Sequence, residues 1–452
     1  MRIQKKTLTF SQKVGFGVCD LGGNLFFTTM GFYLLYYFTD TVGIPPALAG
    51  TALLIGKLWD AITDPMVGVL SDRTQTRWGR RKPWMVAGAF LLLGGMLLLF
   101  HSPSFTRTVS LFLWAVGTYC FVNTAYTFVS IPYGALTPEL TEDYHERSVL
   151  NGYRQFFALG GTFLGAGIVL PLVQLRDSAK EGWFLAGGVL GGIMLFSSLL
   201  TVVMVGKEKA RNITSPRMGW LQQVGEVLIQ KPFLRVLLPW TLHIGGITLI
   251  QSALVYYFEY IYQYKTGFQI ALMILLTLAL LCIPFWIWVS RKIGKKEVYN
   301  VGMLIFACTL IGFYFWGHRL PLQGAYLLMI PAGIGFSVQY AMPFAILPDV
   351  VEWDYAQTGI RREGVYYGVW TFASKTGQAL ASLLAGLVLS LTQYRPQEMV
   401  QSTSALGGIR FLASLLPATL CFLGVWIHRK YPLDRATYQA ILEQIHNRER
   451  NR

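Results

Sequence analysis

Charge is scarce in this chain. Asp, Glu, Lys and Arg together make up 13% of its 452 residues, about half of the roughly 25% usual in soluble domains. A polypeptide so poor in charge cannot cover a water-facing surface, which excludes an ordinary soluble domain. Cysteine is also sparse. Cys19, Cys120, Cys282, Cys308 and Cys421 all lie in apolar runs without metal-ligand spacing, so they read as reduced small hydrophobes. A nucleophile beside a base, a phosphate loop and a metal cluster are all lacking, which argues against an enzyme and against a resident cofactor. The basic N-terminus MRIQKKTLTFSQK is not followed by a small-residue cleavage site, so no cleaved signal peptide is expected.

What is present is apolar length. Hydrophobic residues reach 53%, and runs long enough to cross a hydrocarbon core of about 30 Å recur along the whole chain. They fall near 14–39, 47–70, 84–102, 109–138, 149–175, 182–206, 233–262, 267–289, 298–317, 323–347, 365–392 and 409–427. The expected fold is an all-α membrane protein of twelve transmembrane helices. The net charge of +15 would suggest nucleic acid in a soluble protein. Here the basic clusters alternate with spans instead of forming one stripe, so no nucleic-acid partner is expected. Arg73, Arg77, Arg80, Arg81 and Lys82 form one cluster, Lys207, Lys209 and Arg211 a second, and Arg291, Lys292, Lys295 and Lys296 a third. All three fall on one side of the membrane, which by the positive-inside rule places both termini in the cytoplasm.

The polar loop KEKARNITSPRMGWLQQVGEVLIQK (207–231) divides the spans six and six. The expected organisation is a six-helix bundle at 1–206, this linker, a second bundle at 232–427 and a cytoplasmic tail at 428–452. The halves show weak internal similarity. SDRTQTRWGRRKPW (71–84) and SRKIGKKEVY (290–299) follow corresponding spans, and IPYGALTPE (131–139) and MPFAILPDV (342–350) end corresponding spans. Parallel six-helix repeats mark one large transporter architecture, in which substrate binds near the bilayer midplane between the halves. Glycine is abundant within spans, and small residues let helices approach closely in lipid.

Six charges lie inside spans: Asp20, Lys57, Asp60, Asp64, Arg154 and Lys375. Each costs about 2.5–3.5 kcal/mol at a helix centre, so each needs a cavity or a partner. In WDAITDP, Asp60 and Asp64 share a helical face, with Lys57 one turn earlier. Two carboxylates so close cannot both stay ionised and unpaired in low dielectric, so a cation sits between them or one is protonated. Asp60, Thr63 and Asp64 offer hard oxygens suited to Na⁺, and a protonated carboxylate would serve H⁺. Pro65 biases Asp64 away from regular helix and would free a backbone carbonyl for the ion. Asp20 suits two sugar hydroxyls and Arg154 is a rigid donor, or the two pair with each other across the bundle. Lys375 in TFASKTGQA is a mobile point charge that would compensate the aspartates when the ion is absent.

WDAITDP, RWGRRKPW, Tyr126-Thr127 ahead of IPYGAL, YRQFFA, RREGVYYG and TFASK together resemble the melibiose-permease-like glycoside-pentoside-hexuronide:cation symporters of the major facilitator superfamily. The resemblance runs in order over essentially the whole chain. It implies cation-coupled symport of a sugar, glycoside or sugar acid by alternating access in a bacterial cytoplasmic membrane. It further implies Asp60 and Asp64 as cation carboxylates, with Thr63 and Thr127 as further ligands, and Asp20 and Arg154 in sugar binding. Lys375 and Thr371 would stand between the two sites, Tyr126 and Ser130 beside the substrate. Gly68 to Lys82 is similar to the superfamily signature in which charges latch the cytoplasmic side, here Asp72, Arg73, Arg80, Arg81 and Lys82. Three positions depart from melibiose permease: Thr63 stands for an Asn, Ser130 for a sugar-binding Asp and Gly134 for a stacking Trp. A melibiose-like specificity is therefore not expected, and the ion stays open between Na⁺ and H⁺. ERSVLNGYR (146–154) also resembles the sodium-dependent lysophospholipid symporter branch, which gives the rival reading of an amphiphile carrier. A non-transporting sensor would be expected to lose the ion aspartates, which are present. The tail reads as a short amphipathic basic helix on the cytoplasmic surface. Nothing in the sequence calls for an oligomer.

Overall fold

The computed structural model describes residues 8–141, 144–205, 220–360, 362–398, 400–433, 437–441 and 443. Lys207, Lys209, Arg211, most of the expected linker and the end of the tail lie outside them. The described residues form helices without strands. They divide into two compact units, one of residues 1–214 with Arg395–Glu398 and one of Ser215–Tyr394 with Met399–Arg452.

The first unit holds α1 (Phe10–Tyr36), α2 (Pro46–Arg73), α3 (Lys82–Leu99), α4 (Thr108–Leu140), α5 (Tyr144–Gln174) and α6 (Ala179–Met204). Glycine decides how closely they pack. A Cβ at Gly161 of α5 would stand 2.1 Å from the Leu21 carbonyl oxygen of α1, and one at Gly56 of α2 would stand 2.1 Å from the Tyr119 ring of α4. These contacts draw α1 onto α5 and α2 onto α4 by dispersion packing, the force available in lipid. The α2–α4 seam is also pinned by Asn123, whose amide donates to the Gly56 carbonyl at 3.2 Å.

The second unit holds α7 (Trp220–Ile229), α8 (Lys231–Tyr256), α9 (Gly267–Ile293), α10 (Lys295–Phe315), α11 (Leu322–Phe336), α12 (Val338–Thr358), α13 (Glu363–Leu391), α14 (Thr403–Arg410) and α15 (Leu416–His428). α11 and α12 together make the tenth span. It breaks at Ser337 and runs on to residue 358, well past the expected end at 347, because its extension is charged and amphipathic and so escapes a hydropathy reading. Short π-helical turns close the first span at Tyr37–Thr41, the seventh at Tyr257–Ile261 and interrupt the last at Phe411–Leu415. The first two start within a shared Tyr-Tyr-Phe at 36–38 and 256–258 and end alike, with Ile44 N–H on the Phe38 carbonyl and Tyr264 N–H on the Phe258 carbonyl. The internal repeat thus extends to backbone detail. Among the described residues ten spans are apolar and long enough to cross a membrane by composition. α1 and α2, of 27 and 28 residues, match them in length and carry most of the mid-span charges.

The start of the tail packs on the second unit. Tyr431, Leu433 and Ile441 are buried, the Tyr438 hydroxyl bonds the Glu352 carboxylate, and Lys295 lies over the Tyr438 ring at 5.4 Å. The segment docks on the second unit through these aromatic and aliphatic groups, which its overall basicity masks.

Candidate functional site

The first unit brings the two aspartates of α2 to a single hydroxyl. Thr127 Oγ1 lies 3.1 Å from Asp60 Oδ1 and 3.1 Å from Asp64 Oδ1. A threonine carries one proton, so it can donate fully to only one of these oxygens at a time. Asp60 is 3% exposed and Thr127 fully buried, so water does not readily make up the difference. The arrangement is a compact set of hard oxygens, the chemistry that suits a small cation or a proton. Thr63 is buried beside them, but its hydroxyl turns back to the Asp60 carbonyl at 3.3 Å. Pro65 does not unwind the chain at Asp64, since α2 runs unbroken from Pro46 to Arg73. Having no N–H, it leaves the carbonyl of Ala61, one turn earlier, without its helical donor. Helix continuity, supported by the close α2–α4 seam, outweighs the local bias on Asp64.

One turn toward the N-terminus of α2, Lys57 Nζ lies 5.4 Å from the centre of the Phe27 ring. Phe27 meets Tyr126 edge-on at 5.0 Å, and Tyr126 stacks on Phe26 at 4.6 Å and 10°. The Tyr126 hydroxyl approaches α1 closely enough to stand 3.0 Å from a Cβ at Gly23.

Asp20 and Arg154 are paired. Arg154 Nε donates to Asp20 Oδ2 at 2.6 Å and Nη2 to Oδ1 at 3.4 Å, across the α1–α5 seam that Gly161 permits. The Tyr133 hydroxyl lies 2.6 Å from Asp20 Oδ2 and 2.9 Å from the Phe16 carbonyl. Its proton favours the charged acceptor. The guanidinium also lies over the Tyr133 ring at 4.9 Å and the Phe16 ring at 5.9 Å, where the ring faces attract a cation. Of the two alternatives for this pair, mutual pairing is the one the structure contains. The pair is not sealed, with 17% of the Asp20 and 30% of the Arg154 side chain exposed. Arg154 Nη1 has no partner among the described residues.

Tyr133 escaped the sequence reading. A signal was available: Tyr126, Ser130 and Tyr133 are spaced by four and three residues, one stripe of α4. Two of the three face α1, at Gly23 and Asp20. Thr127 on the adjacent stripe faces α2, so one helix serves both the paired aspartates and the Asp20–Arg154 pair. Ser130 is half-buried.

At the end of the first unit, Arg81 is 4% exposed, pairs with Asp72 and donates to Ser71 Oγ at 2.9 Å. Lys82 Nζ donates to the Val205 carbonyl at 2.6 Å and Trp84 Nε1 to Thr74 Oγ1 at 2.8 Å. Asp72, Arg81 and Lys82 thus form a latch that ties α2, α3 and the end of α6. Arg80 is half-buried at its edge and Arg73 is exposed. In the second unit, Lys375 is half-buried on α13, and Thr371 bonds back to the Tyr367 carbonyl at 2.9 Å.

A cluster of acceptor oxygens and a charged pair, both held mid-span in a helical membrane protein, define a membrane transporter. The chain belongs to the MFS/sugar transport protein family, whose pattern it matches over residues 15–435. An uncharacterized symporter of Synechocystis sp. is 31% identical over 99% of both chains. The isoprimeverose transporter of Lactiplantibacillus pentosus is 26% identical over 99% of this chain and 94% of its own. The sodium-dependent lysophosphatidylcholine symporter 1 of Xenopus tropicalis is 25% identical over 96% of this chain and 89% of its own. Among solved structures, a D-xylose-proton symporter superposes with a TM-score of 0.68 at 15% identity, covering 94% of this chain and 97% of that one. The fold is that of the major facilitator superfamily.

Proposed function

We propose that this protein is a cation-coupled symporter of a sugar, glycoside or sugar acid, working by alternating access. The observation that carries the coupling is the single Thr127 hydroxyl shared by Asp60 and Asp64. Na⁺ or H⁺ binding there cancels one of two adjacent mid-span negative charges and relieves their mutual repulsion. Without it the site keeps buried charge that resists transfer through the low-dielectric part of the cycle. The cation is cargo, and Asp60, Asp64 and Thr127 hold it. Asp20, Arg154 and Tyr133 form the polar face for the substrate, with Tyr126 and Ser130 on the same stripe of α4. Arg154 Nη1 and the exposed edge of Asp20 offer a donor and an acceptor for hydroxyls. Because α4 carries both Thr127 and Tyr133, a shift of α4 on ion binding alters the Asp20–Arg154 pair directly. Lys375 and Thr371 are the second unit's candidates for substrate binding. The side with the basic clusters is cytoplasmic, as are both termini, and the membrane is the bacterial inner membrane. The working unit is the monomer, and no chemical step is catalysed.

A sugar is preferred to an amphiphile because the polar face pairs a carboxylate with a guanidinium and a phenol, three groups suited to hydroxyls. A thermal-shift screen of purified protein tests both readings. Glycosides, pentoses, hexuronates and lysophospholipids are each added with and without Na⁺ at two pH values. Saturating ligand at 100 times its dissociation constant adds about 2.7 kcal/mol. The expected result is stabilisation by a sugar that depends on Na⁺ or acid pH and is absent in Asp64→Asn. Stabilisation by lysophospholipid alone would overturn the sugar assignment and leave the cation site standing.

A further inference from the structure

α1 packs on α5 and α6 and leaves one stripe uncovered. Between Gly15 and Tyr36 every residue is buried except Asp20, Leu21, Gly23, Asn24, Phe27 and Gly31. Leu21 lies against Gly161 of α5, and the others recur at the spacing of a single helical face. Hydrocarbon does not suit this stripe, since two of its members are glycine, Asp20 is charged and Asn24 carries an amide. A polar side chain turned to lipid in mid-span is costly. The face therefore looks onto the polar groups of α4 and α5 that surround Asp20.

Asn24 has no role in the sites described above. It stands one turn, about 6 Å, along α1 from Asp20, and its Nδ2 donates to the Asp20 carbonyl at 3.0 Å. That carbonyl can only accept, so the orientation of the amide is set and Oδ1 is turned away from it. Asn24 is half-buried, and its Oδ1 is accessible and accepts no hydrogen bond among the described residues. Two hydroxyls of α4 share this condition. Tyr126, its ring held by Phe26 and Phe27, and Ser130 are both half-buried, and neither hydroxyl is hydrogen-bonded among the described residues. A serine inside a helix ordinarily turns back to the carbonyl four residues earlier, as Thr124 does to Cys120 at 2.9 Å. Ser130 does not. With Arg154 Nη1, these groups gather accessible hydrogen-bonding capacity about the open stripe of α1.

We propose that Asn24 is a specificity-determining residue of the substrate site, its Oδ1 accepting a hydrogen bond from a substrate hydroxyl. The assignment rests on the sugar reading above and narrows it. One helical turn separates this acceptor from the Asp20–Arg154 pair, roughly the width of one sugar ring. The substrate therefore carries a free hydroxyl on the ring edge opposite the group held by that pair. An acidic substrate turns its carboxylate to Arg154 and a hydroxyl to Asn24.

The test is a thermal-shift titration of the full-length protein in detergent, with Na⁺ at acid pH so that either coupling ion is present. The probes are the methyl pyranosides of glucose, galactose and xylose, and glucuronate. The probe that binds the parent protein most tightly is then compared with its monodeoxy analogues. Asn24→Ala should weaken that probe roughly fivefold and leave the cation dependence and the unliganded melting temperature near those of the parent. One monodeoxy analogue should bind the parent roughly fivefold more weakly than the full sugar, yet bind Asn24→Ala as well as the full sugar does. Asn24→Ser can still donate to the Asp20 carbonyl but is too short to reach the substrate, so it should behave as Asn24→Ala. Recovery of affinity in Asn24→Ser would reduce the amide to a brace within α1 and overturn the proposal. Equal deoxygenation penalties in the parent and Asn24→Ala would overturn it too, with sugar binding still standing. Failure of every probe to stabilise the parent would instead overturn the sugar reading, and this assignment with it.

Discussion

In the first unit, ionisable side chains sit in mid-span and face one another: Asp20 and Arg154 across α1 and α5, Asp60 and Asp64 along α2. In the second unit they gather at span ends. Lys295 at the start of α10 holds Asp349 of α12, and Arg362 ahead of α13 holds both Asp354 of α12 and Glu226 of α7. Lys375 is a mid-span charge of the second unit among the described residues. The two units share span number, turn geometry and loop motifs, so the difference is not one of fold. A charge at mid-depth costs several times more than one at the interface. The first unit bears that cost where a cation and a polar substrate are handled, while the second uses charge to fasten helices and the linker helix α7.

The largest expected effect of breaking this contrast is at Asp64. Asp64→Asn and Asp60→Asn should abolish accumulation against a gradient in membrane vesicles, while downhill flux of substrate persists. Asp349→Asn, at a buried carboxylate of the second unit, should leave accumulation cation-dependent. If Asp349→Asn uncouples transport as Asp64→Asn does, the division of labour fails.

Next comes the pair at the α1–α5 seam. Arg154→Ala strands Asp20 and should destabilise the protein by about 3 kcal/mol, the lower end for a broken buried pair, since part of this one is exposed. Asp20→Asn with Arg154→Gln removes both charges and should recover most of that stability without recovering ligand binding. Thermal unfolding with and without sugar separates the two. Recovery of binding in the double variant would reduce the pair to a helix fastener.

The sequence made the spans and the paired aspartates legible because both rest on short-range rules: apolar length against bilayer thickness, and the i, i+4 face of a helix. Asp72, Arg81 and Lys82 were legible as a group for the same reason, since one loop carries them. Partners far apart in the chain were not. Asp20 and Arg154 could be singled out as misplaced charges, but whether they paired depended on the approach of α1 and α5, set by Gly161 at a distance no periodicity reports. Tyr133 was hidden because a tyrosine in an apolar run reads as core. The continuity of α2 through Pro65 and the docking of Tyr431 and Ile441 were also missed, since in each case tertiary packing outweighed a local preference.

A smaller effect is expected at the span ends of the second unit. Asp349→Ala leaves Lys295 without its carboxylate and should lower stability by about 1–2 kcal/mol, since the lysine side chain is 39% exposed and water compensates in part. Replacing both, Lys295→Met with Asp349→Leu, should come close to the parent protein in thermal unfolding. Any change in ion dependence in the double variant would show that this pair does more than fasten α10 to α12.

The smallest and sharpest test is Thr127. Thr127→Val keeps the shape of the side chain and removes the shared hydroxyl, so the α2–α4 seam stays packed while Asp60 and Asp64 lose their common partner. A lost hydrogen bond to a charged group is worth about 1.5–3 kcal/mol, but a bound cation takes over part of that role. The expected weakening of cation affinity is therefore about tenfold, read from the cation concentration that half-stabilises the protein. Thr127→Ser retains the hydroxyl and should retain most of the affinity. The pairing of these two variants isolates the oxygen from the volume: if Val and Ser weaken the cation equally, packing at α4 and not ligation sets the site, and the hydroxyl merely bridges the aspartates when no ion is bound.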